Sequence, residues 1–224
     1  MKEVAEGVWR LSEFPPRPVI NVYLAGDVLV DAGRRWDTAR IRKQTADRDL
    51  SLLALTHVHP DHQGAAKTIC TERGIPLACH VADVDAMEGR RPVQEAGAGD
   101  FRNKLIKRLW EGPPCEVRRP FEAGDEVIPG FETIHAPGHQ RGEVIFWRES
   151  DRVAICGDVV RNMSYLTTLA GVREPPDIFT LDIPENRRSI RKLADLKPEI
   201  TLPGHGPEIR GHQAIEGLAQ RVGA

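Results

Sequence analysis

The feature that most constrains this chain is a cluster of histidines placed directly after a short apolar run. The run SLLAL has the pattern of a strand covered on both faces, and it leads straight into His57, His59, Asp61 and His62. Side chains at i and i+2 of an extended segment point the same way, so His57 and His59 can converge on one metal ion. A bend at the intervening proline would turn Asp61 and His62 toward a second point nearby. We therefore interpret the cluster as metal ligands rather than as a solvated polar loop.

Three turns elsewhere carry the same kinds of side chain. Two copies of Pro-Gly-His place His139 and His205 on tight turns after the strand-like runs FETIHA and EITL. The segment AICGD likewise places Asp158 after a buried strand and a glycine. Ligands on turns above rigid strands are how a fold holds a metal with defined geometry. We expect these remote residues to complete the site that the histidine cluster begins.

Taken in chain order, the motifs T-H-x-H-x-D-H, P-G-H, G-D and G-H-G resemble those of the metallo-β-lactamase superfamily of metal-dependent hydrolases. The resemblance extends from Asn21 to Pro207. It implies an α/β (α+β) fold, a four-layer αβ/βα sandwich with the site at one edge of two sheets. We expect one such domain over residues 1–224.

The resemblance also assigns ligands for two metals. The first metal would have three histidines, the second an aspartate and two histidines, and a further aspartate would bridge them. In that order these residues are His57, His59 and His139; Asp61, His62 and His205; and Asp158. Asp31, in VLVDAG, matches the family's buried aspartate and would accept the free N–H of a ligand histidine.

The chemistry implied is attack by a metal-bridging hydroxide, because bound water has its pKa lowered to about 7. We expect two divalent ions, with zinc favoured and manganese or iron as alternatives, and hydrolysis of an ester, thioester or lactone. Asp61 would shuttle the proton, and no G-x-S-x-G motif offers a competing serine nucleophile. A second interpretation, which the sequence leaves open, is a mononuclear iron persulfide dioxygenase using His57, His139 and Asp158. A purely structural site is disfavoured because every ligand position is filled.

The substrate is less constrained than the metal site. Residues 83–120 are rich in turn signals and are expected to form a substrate-shaping insertion around the helix FRNKLIKRLW. This helix either packs on the core or caps the site, with Phe101 or Trp110 touching substrate. Candidate pocket residues are His80, Trp110 and Tyr165, although His80 could equally be a buried histidine satisfied by backbone groups. The aliphatic and aromatic content of these segments favours a moderately apolar substrate. The family's usual P-G-H-T-P-G is PGHQRG here, which leaves the subfamily open.

Strand and helix patterns support this organisation. VWRLSE, NVYLA and VLVDAG predict strands, with a hairpin turn at Gly26-Asp27. A helix is expected at 36–48 with Ile41 and Ala46 on its inner face, and another in GAAKTICTERG, ended by Gly74. Further strands are expected in IPLACH, EVIFWRE and RVAICGDVV, and further helices in PENRRSIRKLADL and HQAIEGLAQRV.

Charge and cysteine content limit the partners and the compartment. Lys and Arg total 31 against 33 Asp and Glu, a balance without the basic footprint of nucleic-acid or anionic-membrane binding. The N-terminal stretch MKEVAEGVWRL lacks the apolar segment of a signal peptide, and the four cysteines form no C-x-x-C pair. We expect a cytoplasmic protein with reduced thiols, acting on a small molecule, with no nucleic-acid or membrane partner. A homodimer is compatible with this composition.

Overall fold

The computed structural model describes residues 1–12, 19–93, 95–96, 105 and 108–223. Within them the first sheet contains seven strands in chain order: β1 Lys2–Ala5, β2 Val8–Arg10, β3 Tyr23–Ala25, β4 Val28–Val30, β5 Leu52–Ala54, β6 Leu77–His80 and β7 Arg119–Phe121. Strands β1 to β4 pair antiparallel, and β4 to β7 pair parallel. The predicted turn at Gly26-Asp27 is confirmed, because Ala25 pairs with Val28 across it.

The second sheet of the described chain has five strands, in the spatial order β12, β11, β10, β9, β8. Their bounds are β8 Glu132–His135, β9 Val144–Arg148, β10 Val153–Gly157, β11 Ile200–Pro203 and β12 Ile209–Arg210. Only the β10–β11 pair is parallel. The α-helices are α1 Thr38–Gln44, α2 Pro60–Gln63, α3 Ala66–Arg73, α4 Val84–Met87, α5 Ile183–Asp195 and α6 Gln213–Arg221.

The period of two along each strand sorts apolar side chains into separate layers. In β4, Val28 and Val30 face the second sheet and share a buried cluster with Phe146 of β9. Leu29, between them, faces the other way and packs with Ile41 of α1. The outer face of the second sheet is covered by α5 and α6, whose apolar sides share a third cluster with strands β9 and β10. The layers run helix, sheet, sheet, helix, so the expected four-layer sandwich is confirmed.

Helix ends follow local chemistry. Helix α3 ends at Gly74, as predicted, in a left-handed conformation with φ of 66° that glycine adopts without strain. Helix α5 begins at Asp182, whose carboxylate accepts from the N–H of Glu185 at 2.9 Å.

The helix expected over 36–48 is shorter than predicted. A 3₁₀ turn over residues 35–37 precedes α1, which ends at Gln44. Thr45 is the buried residue after it, with its hydroxyl donating to the carbonyl of Ile41 at 2.9 Å. Ala46 is exposed, so its expected inward position is wrong.

The insertion near 83–120 is described only in part. Most of the predicted helix FRNKLIKRLW, including Phe101, lies outside the described residues, although residues 108–110 are helical. The side chains of Leu105 and Leu109 are about half exposed, which argues against close packing of that face on the core. The single domain over 1–224 and its insertion stay predictions. None of the described helices combines the length and apolar character needed to cross a membrane.

Candidate metal centre

The histidine cluster and the remote turns meet because each follows a strand that ends at the same edge of the two sheets. The cluster follows β5, while Asp158 and His205 follow the neighbouring strands β10 and β11. Backbone hydrogen bonds join the two sheets here. The N–H of Val144 donates to the carbonyl of Thr56 at 3.0 Å, and the N–H of Asn21 to that of Gly204 at 2.8 Å. The edge is therefore held by both halves of the fold.

The structure brings all seven expected ligands together. They form three overlapping sets, in each of which one atom per residue lies within 4.8 Å of the others. These sets are His57, His59 and His139; His57, His62 and Asp158; and Asp61, His62 and His205. The first and third sets are the two groups of ligands expected from the sequence, and the middle set links them.

Asp158 lies between the two groups. One carboxylate oxygen, Oδ1, is 3.6 Å from Nε2 of His62. The other, Oδ2, is 3.5 Å from Nε2 of His139 and 3.1 Å from Nε2 of His205. A carboxylate in this position can serve ions on both sides.

The buried polar atoms fit a bound cation. Nε2 of His57, His62 and His139 and Oδ1 of Asp158 are buried without a hydrogen-bond partner. Buried polar atoms in folded proteins are nearly always partnered, because leaving one unpaired costs about 1–3 kcal/mol. Imidazole nitrogens and carboxylate oxygens are ligands for zinc, manganese and iron. The donor set therefore fits two divalent ions.

The far nitrogens of the ligand histidines are fixed by partners outside the centre. Nδ1 of His62 is 2.9 Å from Oδ2 of Asp31, the position expected for the buried aspartate. Nδ1 of His139 is 3.3 Å from the hydroxyl of Thr180, and Nδ1 of His205 is 2.6 Å from the carbonyl of Val19. Such partners orient the ring and leave Nε2 facing the metal position.

Charge differs between the two groups. Burial lowers the pKa of His57, His59 and His139, in the last case to about 4, so these rings are neutral at pH 7. Neutral imidazole is the form that binds metal.

The histidines of the second group have raised pKa values instead. Burial lowers the pKa of His62, but Asp31 and Asp158 outweigh burial and raise it to about 9. Asp158 and Asp61 likewise raise the pKa of His205 well above its usual range. Burial raises the pKa of both aspartates Asp61 and Asp158, but the histidines outweigh it and hold the values below the usual range. A divalent cation binding here would displace the imidazole protons.

Sequence reasoning missed Glu143. Its side chain is fully buried, with Oε2 3.2 Å from Nδ1 of His57 and Oε1 accepting from the N–H of Asp158 at 2.9 Å. Burial raises the pKa of Glu143, and neighbouring Asp158 raises it further, so a cation at the centre would favour the ionised form. The one sequence signal for Glu143 was a charged residue placed directly before the apolar run VIFW.

Asp83 and Gln140 were also missed, and both hold the backbone of Val58, between two ligand histidines. Asp83 accepts from the N–H groups of Val58 at 3.1 Å and Gly142 at 2.9 Å. The Nε2 group of Gln140 donates to the carbonyls of Val58 at 3.2 Å and Val93 at 2.8 Å. Gln140 stands where the family's usual P-G-H-T-P-G has threonine, and it helps to hold the segment that carries His57 and His59.

Two glycines allow the backbone to approach the centre. A Cβ at Gly204 would lie 2.3 Å from Oδ1 of Asp158 and 2.6 Å from Cε1 of His62. Gly157, with φ of 48°, brings its backbone against Glu143, whose Oε1 would be 2.2 Å from an added Cβ. Side chains at either position would occupy space that the site uses.

A cavity of about 330 Å³ opens onto the centre. Trp110 and Tyr165 lie in its wall, and the Tyr165 ring meets the His205 ring edge-on with centroids 5.2 Å apart. His80 is not among the described residues that line this cavity, so the prediction that it is a pocket residue is wrong. Its ring stacks on that of His135 at 4.1 Å, and its Nδ1 accepts from the N–H of Ala82.

Comparisons with known proteins identify the family of this chain. The model of the metallo-beta-lactamase superfamily matches residues 16–205. The probable metallo-hydrolase YflN of Bacillus subtilis (strain 168) is 28% identical over 238 residues, covering 93% of this chain and 87% of YflN. The hydroxyacylglutathione hydrolase GloC of Haemophilus influenzae is 28% identical over 136 residues, covering 59% of this chain and 60% of GloC.

Solved structures give the same result for the fold. The metallo-beta-lactamase family protein TTHA1429 from Thermus thermophilus superposes with a TM-score of 0.70 at 23% identity, covering 98% of this chain and 80% of TTHA1429. TTHA1623, solved in a di-iron-bound form, superposes with a TM-score of 0.67 at 27% identity, covering 92% of this chain and 97% of its own. The matched family model, which spans most of the sequence, shows that this chain belongs to the metallo-β-lactamase superfamily.

Proposed function

We propose that this protein is a binuclear zinc-dependent hydrolase that cleaves an ester, thioester or lactone. The observation that carries the proposal is the position of Asp158 between two groups of ligand atoms, with three buried imidazole nitrogens left without a hydrogen-bond partner. The similarity to GloC, which is named a hydroxyacylglutathione hydrolase, supports hydrolysis at an acyl carbon.

The ligand assignment follows the two groups. His57, His59 and His139 would hold one ion; Asp61, His62 and His205 would hold the other; Asp158 would contact both. Two ions held by these residues would supply a bound water of lowered pKa and Lewis acidity toward a carbonyl oxygen.

The chain's own residues supply orientation and proton handling. Asp61 retains 17% side-chain exposure, lines the cavity and has Oδ2 3.3 Å from Nε2 of His205. Its carboxylate is therefore placed to accept and return a proton at the cavity floor, the role expected from the sequence. Val58, with both backbone groups held by Asp83 and Gln140, keeps the adjacent histidines in place.

The first experiment is metal content and stoichiometry of protein purified without added metal or chelator. About two zinc ions per chain, with turnover of simple esters, thioesters or lactones, would support the proposal. One iron per chain, with oxygen consumption on persulfides, would replace it with the dioxygenase interpretation. The di-iron form of TTHA1623 makes metal identity the measurement to make before any substrate screen.

Two variants of the bridging position test the mechanism. Asp158→Ala removes both oxygens and should abolish turnover, whereas Asp158→Asn keeps the shape and should retain folding with reduced metal content. Unchanged turnover in Asp158→Ala would overturn the two-metal mechanism. A small-molecule substrate and a cytoplasmic compartment stay part of the proposal, the latter because the four cysteines are free thiols.

A further inference from the structure

The cavity beyond the metal ligands is walled by apolar side chains. Apart from ligand residues, its described lining consists of Tyr165 and six apolar residues: Val19, Ile20, Pro60, Trp110, Pro176 and Phe179. No lysine or arginine is among the lining residues that the structure describes. The described part of the wall therefore offers apolar contact and no cation for an acidic group of a substrate.

Three exposed apolar residues lie close in the chain to residues that line the cavity. Leu166 is 97% exposed and follows Tyr165, while Ile178 is 48% exposed and precedes Phe179. Leu169 is 55% exposed, and its carbonyl accepts from the N–H of Ser164 at 2.9 Å, which folds residues 164–169 into one turn. Large exposed apolar side chains next to cavity residues in the chain offer further apolar contact to a ligand. We call Leu166, Leu169 and Ile178 the apolar rim.

The aromatic walls are held in place. The Arg161 guanidinium lies 4.7 Å from the Tyr165 ring centroid and donates to the carbonyl of Glu174 at 2.8 Å. On the other side, the Trp110 ring meets the Trp36 ring edge-on with centroids 6.3 Å apart. These contacts restrict the Tyr165 and Trp110 side chains, which lowers the entropy cost of binding.

We propose that this cavity binds the aliphatic acyl chain of the substrate, with the chain's far end lying on the apolar rim. The inference rests on the proposed function, since it assigns the acyl side of the bond that is cleaved. The carbonyl lies at the ligand residues, the first methylenes contact Trp110 and Phe179, and later ones leave past Leu166 and Ile178.

The test is a series of p-nitrophenyl esters with straight acyl chains from acetyl to octanoyl, assayed with the zinc-loaded protein. The value of kcat/KM should rise with each methylene, by up to about fourfold per group that is fully buried. Phe179→Ala should lower the octanoyl-to-acetyl ratio by about tenfold, and Ile178→Ser and Leu166→Ser should lower it by smaller factors. Val81→Ser, at an apolar position 42% exposed and outside the cavity, is the matched control and should leave the ratio unchanged.

A binding measurement separates this inference from the proposed function. Octanamide carries the same acyl chain without an ester bond. Its binding should change tryptophan fluorescence, with the change lost in Trp110→Phe and the affinity lowered in Phe179→Ala. Acetyl ester hydrolysis with no dependence on chain length would overturn the inference and leave the hydrolase. Octanamide binding without hydrolysis of any ester would overturn the hydrolase and leave the aliphatic-chain site.

Discussion

The carboxylate of Glu143 joins His57 to Asp158, with Oε2 3.2 Å from Nδ1 of His57 and Oε1 accepting from the Asp158 N–H at 2.9 Å. For Nε2 of His57 to bind a metal, the ring proton must be on Nδ1. Nδ1 lies 3.2 Å from the Thr56 hydroxyl, its hydrogen-bond partner, and 3.2 Å from Oε2 of Glu143, which is buried without a hydrogen-bond partner. Glu143 therefore places a carboxylate beside one ligand and accepts a hydrogen bond from the backbone of another.

Glu143→Gln should weaken metal binding. Glutamine keeps an oxygen for the Asp158 N–H, but it removes the carboxylate charge beside Nδ1 of His57 and places an amide N–H against that ring proton, which costs about 1–3 kcal/mol. We expect affinity for metal to fall by about 10–100-fold, measured by competition with a chromophoric chelator. Glu132→Gln, at an exposed position on β8, is the control. Equal affinity of Glu143→Gln and wild type would mean that Glu143 does not orient the ligands.

Much of this site could be predicted from spacing because its ligands follow strand ends. His57, His139 and Asp158 each come after an apolar run, and strand ends gather at one sheet edge. Glu143 and Asp83 could not be found in this way, since a single carboxylate has no spacing pattern and its role depends on which backbone groups lie opposite it.

The fold was predictable to a similar extent. The central strands carry continuous apolar runs that are visible in the sequence. In contrast, β7 contains Pro120 and β12 has only two residues. These two edge strands are therefore defined by pairing with their neighbours more than by strand propensity. The early end of α1 has a local cause as well. The Thr45 hydroxyl bonds to the carbonyl of Ile41, which is one way that threonine competes with continued helix.

Gly204→Ala should remove metal while leaving most of the fold. The added Cβ would lie 2.3 Å from Oδ1 of Asp158 and 2.6 Å from Cε1 of His62, so both ligands must move. We expect metal content below half of the wild-type value and activity reduced at least tenfold, as small displacements of catalytic groups cost about that much or more. Gly217→Ala, in α6, is the matched control, because its nearest neighbour is the end of the Arg221 side chain at 3.4 Å. This control should retain metal and gain up to about 1 kcal/mol of stability.

Asp83 should make stability depend on pH. Burial raises its pKa to about 6 from 3.8, against the two backbone N–H groups, which lower it. Between these values the unfolded chain has lost the proton and the folded chain keeps it. The free energy of unfolding therefore falls as pH rises from about 4 to 6, by about 3 kcal/mol from this group.

The asparagine of Asp83→Asn cannot titrate. The difference in unfolding free energy between this variant and wild type should therefore change by about 3 kcal/mol between about pH 4 and pH 6. Urea denaturation at pH 4, 5 and 6 measures this difference. Asp85→Asn, at a neighbouring exposed position, should show no such change. A constant difference for Asp83→Asn would mean that Asp83 is ionised throughout.

Acid should release the two metals in sequence. The pKa of His62 is raised to about 9, since Asp31 and Asp158 outweigh burial, so this ring must lose a proton to bind metal at any pH below that value. His139 has a pKa lowered to about 4 and loses none above that pH. His205 of the same group also has its pKa raised well above the usual range, so two protons leave when metal binds. Affinity of this group should therefore rise by up to about a hundredfold per pH unit between 6 and 8, while that of the group containing His139 stays nearly constant. Equilibration with a competing chelator at each pH, followed by metal analysis, should show two ions per chain at pH 8 and one at pH 6.

Asp31→Asn removes the carboxylate that most raises the His62 pKa, so the second ion of this variant should show a weaker pH dependence. Simultaneous release of both ions in wild type would contradict the separate charge states of the two groups.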